Sequence, residues 1–269
     1  MQNHEKEILR DERTENKLLP IERKNEILAK LMLDGKVIVT ELAETYKVTE
    51  ETIRRDLDKL EKEGLAKKTY GGAVKTDTLN VELPYMVRKQ TNVEGKKYIA
   101  EIIANLISDG DYILLDSSTT ALFTVKSMFS KQNITIITNS VEALMDTPSK
   151  NNWRVISTGG EFAQSSFAFF GPRVEEVVAD YHVDVAVISG KSSDMNKGIS
   201  DTSDVNARIK KAFIASAKKV ILAMDSSKFD KISFVRFADI GDIHAVVTDA
   251  EPSKEWKDFF LSKNVELYW

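Results

Sequence analysis

The chain has no cysteine among its 269 residues. That excludes disulfides and thiolate metal sites, and it fits a cytoplasmic protein. Histidine is nearly as scarce. His4, His182 and His244 lie far apart and match no metal-ligand spacing, so neither a metal nor a cofactor is expected. No apolar run approaches the ~20 residues that span a bilayer, so no membrane association is expected. The opening stretch, MQNHEKEILRDERTENK, is too charged for a signal or transit sequence. An excess of positive charge is missing as well. The net charge is −4, and residues 21–74 hold 11 Lys+Arg against 11 Asp+Glu. Composition therefore gives no support for nucleic-acid binding, and such a role depends on where the charges lie.

What is present divides into four stretches. Residues 1–20 form a charged arm ending at Pro20. Residues 21–74 follow the order helix, short strand-like run, helix, helix, hairpin: a winged helix-turn-helix. Ile21, Ile27, Leu28, Leu31 and Met32 make the stripe of the first helix, which stops at Gly35. Thr40 can cap the second helix and Thr49 the third. Residues 75–93 lack a sustained period, contain Pro84, and read as a linker. In residues 94–269 amphipathic helices alternate with the apolar runs YILLD, ITIIT, WRVIST, VDVAVIS, KVILAMD and HAVVTD. That alternation predicts a mainly parallel α/β domain.

On the third helix Ile53, Leu57 and Leu60 share one face. Arg55 then points away from that face, Glu51, Thr52 and Lys59 lie on the outward side, and Arg54 flanks it. Docked through its apolar stripe, this helix presents Thr52 and Arg55 to a major groove, where Arg can pair with guanine. Lys67, Lys68 and Tyr70 on the wing would meet phosphates. Asp56 is expected to pair with a neighbouring Arg or Lys at helical spacing rather than touch DNA. The run ELAETYKVTEETIRRDLDKLEKEG, closed by YGGA, resembles the helix-turn-helix of DeoR-type repressors.

In the second half, polar residues collect where strands end. YILLD runs into Asp116, Ser117, Ser118, Thr119 and Thr120 and then a helix, whose N-terminus suits a phosphate. A second strand ends at Thr138, Asn139 and Ser140, and a third at Gly159 and Gly160, where absent side chains let a ligand approach the backbone. A fourth runs into Ser189-Gly190-Lys191, and a fifth into Asp225-Ser226-Ser227-Lys228. In a parallel sheet these ends share the edge where ligands bind.

This half resembles the DeoR-family effector domain in its K-x-x-IA motif at Lys96–Ala100, D-S-S-T-T, I-T-N-S, the paired glycines, D-S-S-K-F and V-V-T-D. The resemblance implies a fold related to sugar-phosphate isomerases. Asp116 to Thr120 would surround a phosphate, Lys228 would bring charge to it, and Asp116, Asn139 and Asp225 would meet sugar hydroxyls. It also implies a repressor that binds double-stranded operator DNA as a homodimer or higher homo-oligomer, with a sugar phosphate as effector. Two departures from the family pattern stand out. The stretch Asn206–Ala212 lacks the family's acidic residues, and Gly190-Lys191-Ser192-Ser193 replaces the acidic turn of the related isomerases. The general base of an isomerase is then missing unless Asp194 supplies it, which argues against the alternative of an active sugar-phosphate enzyme fused to a DNA-binding domain.

Overall fold

The computed structural model describes residues 18–76, 81–147 and 152–269. The chain divides into two compact units, 1–78 and 79–269. Most of the charged arm, residues 1–17, lies outside the described residues.

The first unit runs α1 (Pro20–Asp34), β1 (Lys36–Ile38), α2 (Val39–Tyr46), α3 (Glu50–Lys62), β2 (Ala66–Thr69) and β3 (Gly72–Lys75). Proline opens α1 where its missing N–H costs nothing, and Gly35 closes it in the left-handed region at φ 75°. Thr40 does not cap α2. The helix begins two residues earlier than a Thr40 cap implies, so Ile38 stands at the cap position and makes no side-chain bond there. Thr49 does cap α3, its hydroxyl accepting from the Thr52 N–H at 3.3 Å. Ile27, Leu28, Leu31, Leu42, Ile53, Leu57 and Leu60 are wholly buried, and each such side chain contributes about 1.5–3 kcal/mol of transfer free energy. The β2–β3 hairpin gains β1 as a third, antiparallel strand. Glycine is required at position 72, because a Cβ there would lie 1.9 Å from the Val37 carbonyl oxygen.

The second unit contains a seven-stranded sheet in the order β15-β14-β12-β9-β4-β5-β6. These are Tyr112–Leu115 (β4), Thr135–Thr138 (β5), Arg154–Ser157 (β6), Val183–Ile188 (β9), Ala217–Ala223 (β12), Ala245–Val247 (β14) and Glu266–Tyr268 (β15). Every neighbouring pair is parallel. Strand alternation divides the core in two. Leu114, Ala186, Ile188, Val220, Leu222 and Val246 pack with Val174, Phe213, Trp256 and Phe260 on one face. Ile113, Leu115, Val185, Val187, Ile221, Ala223 and Val247 pack with Ile99, Ile103, Leu122 and Val125 on the other. Helices thus cover both faces, as the continuous apolar runs require.

Two small antiparallel additions complete the unit: a hairpin of Glu161–Ala163 (β7) and Ala168–Phe170 (β8), and a sheet of Ser192–Asp194 (β10), Gly198–Asp201 (β11) and Val235–Ala238 (β13). The segment read as a linker is more structured than expected. Lys75 belongs to β3, and Tyr85–Gln90 forms a helix (α4) with Tyr85 and Val87 buried in the second unit. No helix among the described residues is long and apolar enough to cross a membrane.

Candidate functional site

In the first unit the turn between α2 and α3 passes through Lys47, in the left-handed region at φ 50°. Thr49 and Thr52 join hydroxyls at 2.9 Å at the start of α3. The outward face carries exposed Glu51, Arg54, Arg55 and Lys59, with Thr52 half-buried. Arg55 Nε reaches Glu51 Oε1 at 3.2 Å, and Arg54 pairs with Glu50. Both are one-turn pairs in solvent, weak enough to exchange for a stronger acceptor. On the wing Lys67 and Tyr70 are exposed. Lys68 is committed: its ammonium pairs with Asp58 and its N–H donates to Glu61 at 2.8 Å, which ties the wing to α3. Asp56 departs from its expected role. It sits at 2 % exposure and bonds Arg23 of α1, not a cation one turn away on its own helix.

In the second unit the strand order reverses around β4, since β5 and β6 extend to one side and β9, β12 and β14 to the other. The β4 and β9 carboxyl ends therefore flank a crevice, the usual ligand position in such sheets. Asp116, at 2 % exposure, spans it. One carboxylate oxygen accepts from the Ser118 N–H at 2.9 Å and the other from the Ser189 N–H at 2.8 Å. Asp116 thus braces the β4 and β9 ends. After α5 (Val93–Leu106), Ser118 caps the helix that follows β4, α6 (Thr119–Ser127), through the Ala121 N–H at 3.1 Å. The first-turn N–H groups of Thr119 and Thr120 have no acceptor within the helix. Both side chains are buried, whereas Ser117 and Ser118 are half-buried.

The other strand ends divide by role. Thr138 donates to the Leu115 carbonyl at 2.7 Å and Ser140 caps a short helix, so both serve the backbone. Asn139 reaches Ser117 Oγ at 3.4 Å and the Phe169 carbonyl at 3.0 Å, while its Oδ1 is buried without a hydrogen-bond partner. Gly159 and Gly160 adopt φ 61° and 114°, and a Cβ on Gly160 would meet the Phe170 carbonyl at 2.6 Å. Chain packing by itself requires glycine at 160. Lys228 Nζ donates to Ser189 Oγ at 3.3 Å and lies 3.5 Å from Asp225. Asp225 accepts from the Ser227 N–H, and although burial raises its pKa, Lys228 and that bonding bring it below the ordinary carboxylate range.

Several charged groups that strand-end reasoning did not single out converge here beside Lys191 and Lys228. Lys96 is buried at 5 % exposure, with its ammonium on the Arg88 and Thr91 carbonyls. Burial, then the charge of Lys228, lowers it to about 8. Burial, Lys228 and Arg88 likewise lower Lys191. Arg88 itself comes from the segment read as a linker. Lys210 pairs with Asp201 and lies 3.9 Å from Asp116; burial opposes its charge, but the two carboxylates prevail and raise its pKa. An acid is therefore present after Gly198, on the strand at Asp201 rather than in the stretch Asn206–Ala212. The K-x-x-IA motif had flagged position 96; nothing local flagged Arg88 or Asp201. Asp194 accepts from the Asn196 and Lys197 N–H groups in its own turn, at 2.9 and 2.8 Å.

Comparison with known proteins agrees with this division. Residues 23–78 match the DeoR-like helix-turn-helix domain, and residues 91–250 match the DeoR C terminal sensor domain. An uncharacterized HTH-type transcriptional regulator of Bacillus subtilis, YulB, is 38% identical over 87% of this chain and 90% of its own length. The L-fucose operon activator of Haemophilus influenzae is 34% identical over 80% of this chain and 86% of its own. Ribose 5-phosphate isomerase A of Methanocaldococcus jannaschii overlays 52% of this chain and 55% of its own at 16% identity, with a TM-score of 0.38, too loose to carry any inference. The chain belongs to the DeoR family of helix-turn-helix transcriptional regulators.

Proposed function

We propose that the protein represses a sugar-utilisation operon and that a phosphorylated sugar, bound at the β4/β9 crevice, controls it. The carrying observation is the cluster of cations that converges on that crevice. Lys228 and Arg88 lie close enough to Lys96 and Lys191 to depress the ionisation of both. Mutual repulsion of buried cations is relieved by an anion. The free N–H groups opening α6 and the hydroxyls of Ser117, Ser118, Thr119 and Thr120 supply directed donors for a phosphate. Asn139 Oδ1 is the acceptor best placed for a sugar hydroxyl, because Asp116 and Asp225 already hold backbone N–H groups. That a relative regulates an L-fucose operon supports the sugar class.

At the other end, Arg55 and Thr52 read base edges of double-stranded operator DNA, with Thr49, Glu51, Arg54 and Lys59 around them and Lys67 and Tyr70 on the backbone. Pairing of two such units on two half-sites calls for a homodimer or higher homo-oligomer. An isomerase would need a free carboxylate to move a proton, and Asp194 and Asp201 are each engaged. A thermal-shift screen tests the reading, since a ligand of the native state stabilises it by mass action. Phosphorylated sugars should raise Tm and their unphosphorylated forms should not. Stabilisation by free sugars alone, or turnover of a sugar phosphate, would contradict it.

A further inference from the structure

Side chains of the crevice reach the chain segment that precedes α4. Lys191, at the end of β9, donates through Nζ to the main-chain carbonyl of Val81 at 3.3 Å. Val81 is five residues past Thr76, the last described residue before residues 77–80. Glu82, next along, pairs with Arg88 at 3.1 Å and accepts from Thr202 Oγ1 at 3.4 Å. Thr202 in turn follows Asp201, the partner of Lys210. Residues 81–84 form neither helix nor strand, so side chains of the effector crevice supply their polar anchorage.

The stretch just after Pro84 is held quite differently. Tyr85 is buried, its N–H donates to the Ser165 carbonyl at 3.2 Å, and its hydroxyl donates to Glu142, which also pairs with Lys89. Lys96 holds the carbonyls of Arg88 and Thr91. The segment thus has a fixed end in α4 and an end that depends on Lys191 and Glu82.

We propose that residues 81–84 read effector occupancy: Lys191 leaves the Val81 carbonyl for the effector's phosphate, and the chain leading to the DNA-binding unit is released. The inference rests on the phosphate reading of the crevice given above. A neutral carbonyl competes poorly with a phosphate for an ammonium, because the phosphate adds attraction between two full charges to the hydrogen bond. Phosphate charge also draws Arg88, whose exchange frees Glu82. The same ligand therefore weakens both ties at once, and the differential contact needed to shift a two-state element is supplied locally.

The absence of cysteine makes a direct test simple. Val81→Cys in the full chain introduces one thiol, whose labelling rate reports local release, with inorganic phosphate as probe. Phosphate should raise Tm, in a manner lost in Lys228→Ala, and should speed labelling of position 81 several-fold. Adding Lys191→Met should make labelling fast without phosphate and insensitive to it. Glu82→Gln, which keeps Lys96, Lys191 and Lys228, should also speed labelling and serves if the methionine variant folds poorly. Stabilisation by phosphate with unchanged labelling, or slow labelling in both variants, overturns the switch and leaves the phosphate site standing. No stabilisation of the parent overturns the phosphate reading, and the switch with it.

Discussion

Arg23 of the first helix and Asp56 of the third are joined through Nε and Oδ2 at 2.7 Å, with both side chains buried. The pair locks the DNA-reading helix to the helix behind it. Asp56→Ala leaves a guanidinium buried without its anion, and loss of one partner of such a pair costs about 3–5 kcal/mol. Chemical denaturation of residues 18–78 within the full chain, followed by a probe in that unit, should show a loss of this size. A change below about 1 kcal/mol, the range of a solvent pair, would mean that the contact is not closed in solution.

Arg55 and Lys68 separate reading from positioning. Arg55→Ala removes an exposed guanidinium held only by Glu51, so the fold should persist and specific operator binding should weaken by about 1–3 kcal/mol. Lys68 is bound to Asp58, so Lys68→Ala should loosen the wing and weaken all DNA sequences alike, with a smaller change in salt slope than for a free lysine. Binding titrations on operator and scrambled duplexes at several salt concentrations distinguish the two. Equal operator affinity for Arg55→Ala and the parent contradicts the orientation of α3.

Lys96 gives the crevice a pH signature. Burial and Lys228 lower its pKa from 10.5 to about 8, with Arg88 adding to the effect and Asp225 opposing it. A bound phosphate favours the ammonium, so effector affinity should fall as pH rises through about 8, where phosphate, with its second pKa near ~6, stays dianionic. Stability without effector should carry the opposite sign. Between about 8 and 10.5 the unfolded lysine holds more proton than the folded one, so this group's contribution to unfolding free energy rises with pH. Titrations at about pH 7 and about pH 9 check the first part, with Lys96→Met flattening the profile. A pH-independent affinity in the parent would remove Lys96 from the site.

Much of this was legible in residue order, for a physical reason. The six apolar runs between YILLD and HAVVTD each became a strand, because a sheet covered on both faces demands continuous apolar sequence. Missed were strands too short to carry a pattern, such as Ser192–Asp194, and the six-residue helix after Pro84. The polar strand ends were visible because parallel topology puts them on one edge. Arg88, Asp201 and Lys210 reach the crevice only through tertiary packing, so spacing alone could not assign them. The partner of Asp56 stands 33 residues away, beyond any helical rule.

The most direct test of the phosphate crevice is calorimetric titration of the parent and Lys228→Ala with the sugar phosphate that most raises Tm. Each should be run beside the unphosphorylated sugar. Lys228 should contribute about 1.5–3 kcal/mol of affinity, the range for hydrogen bonds to charged groups, and the parent should prefer the phosphorylated form strongly. Operator binding without effector should be unchanged in the variant. Equal affinity of the parent for the two sugars, or an unaffected Lys228→Ala variant, would contradict the account.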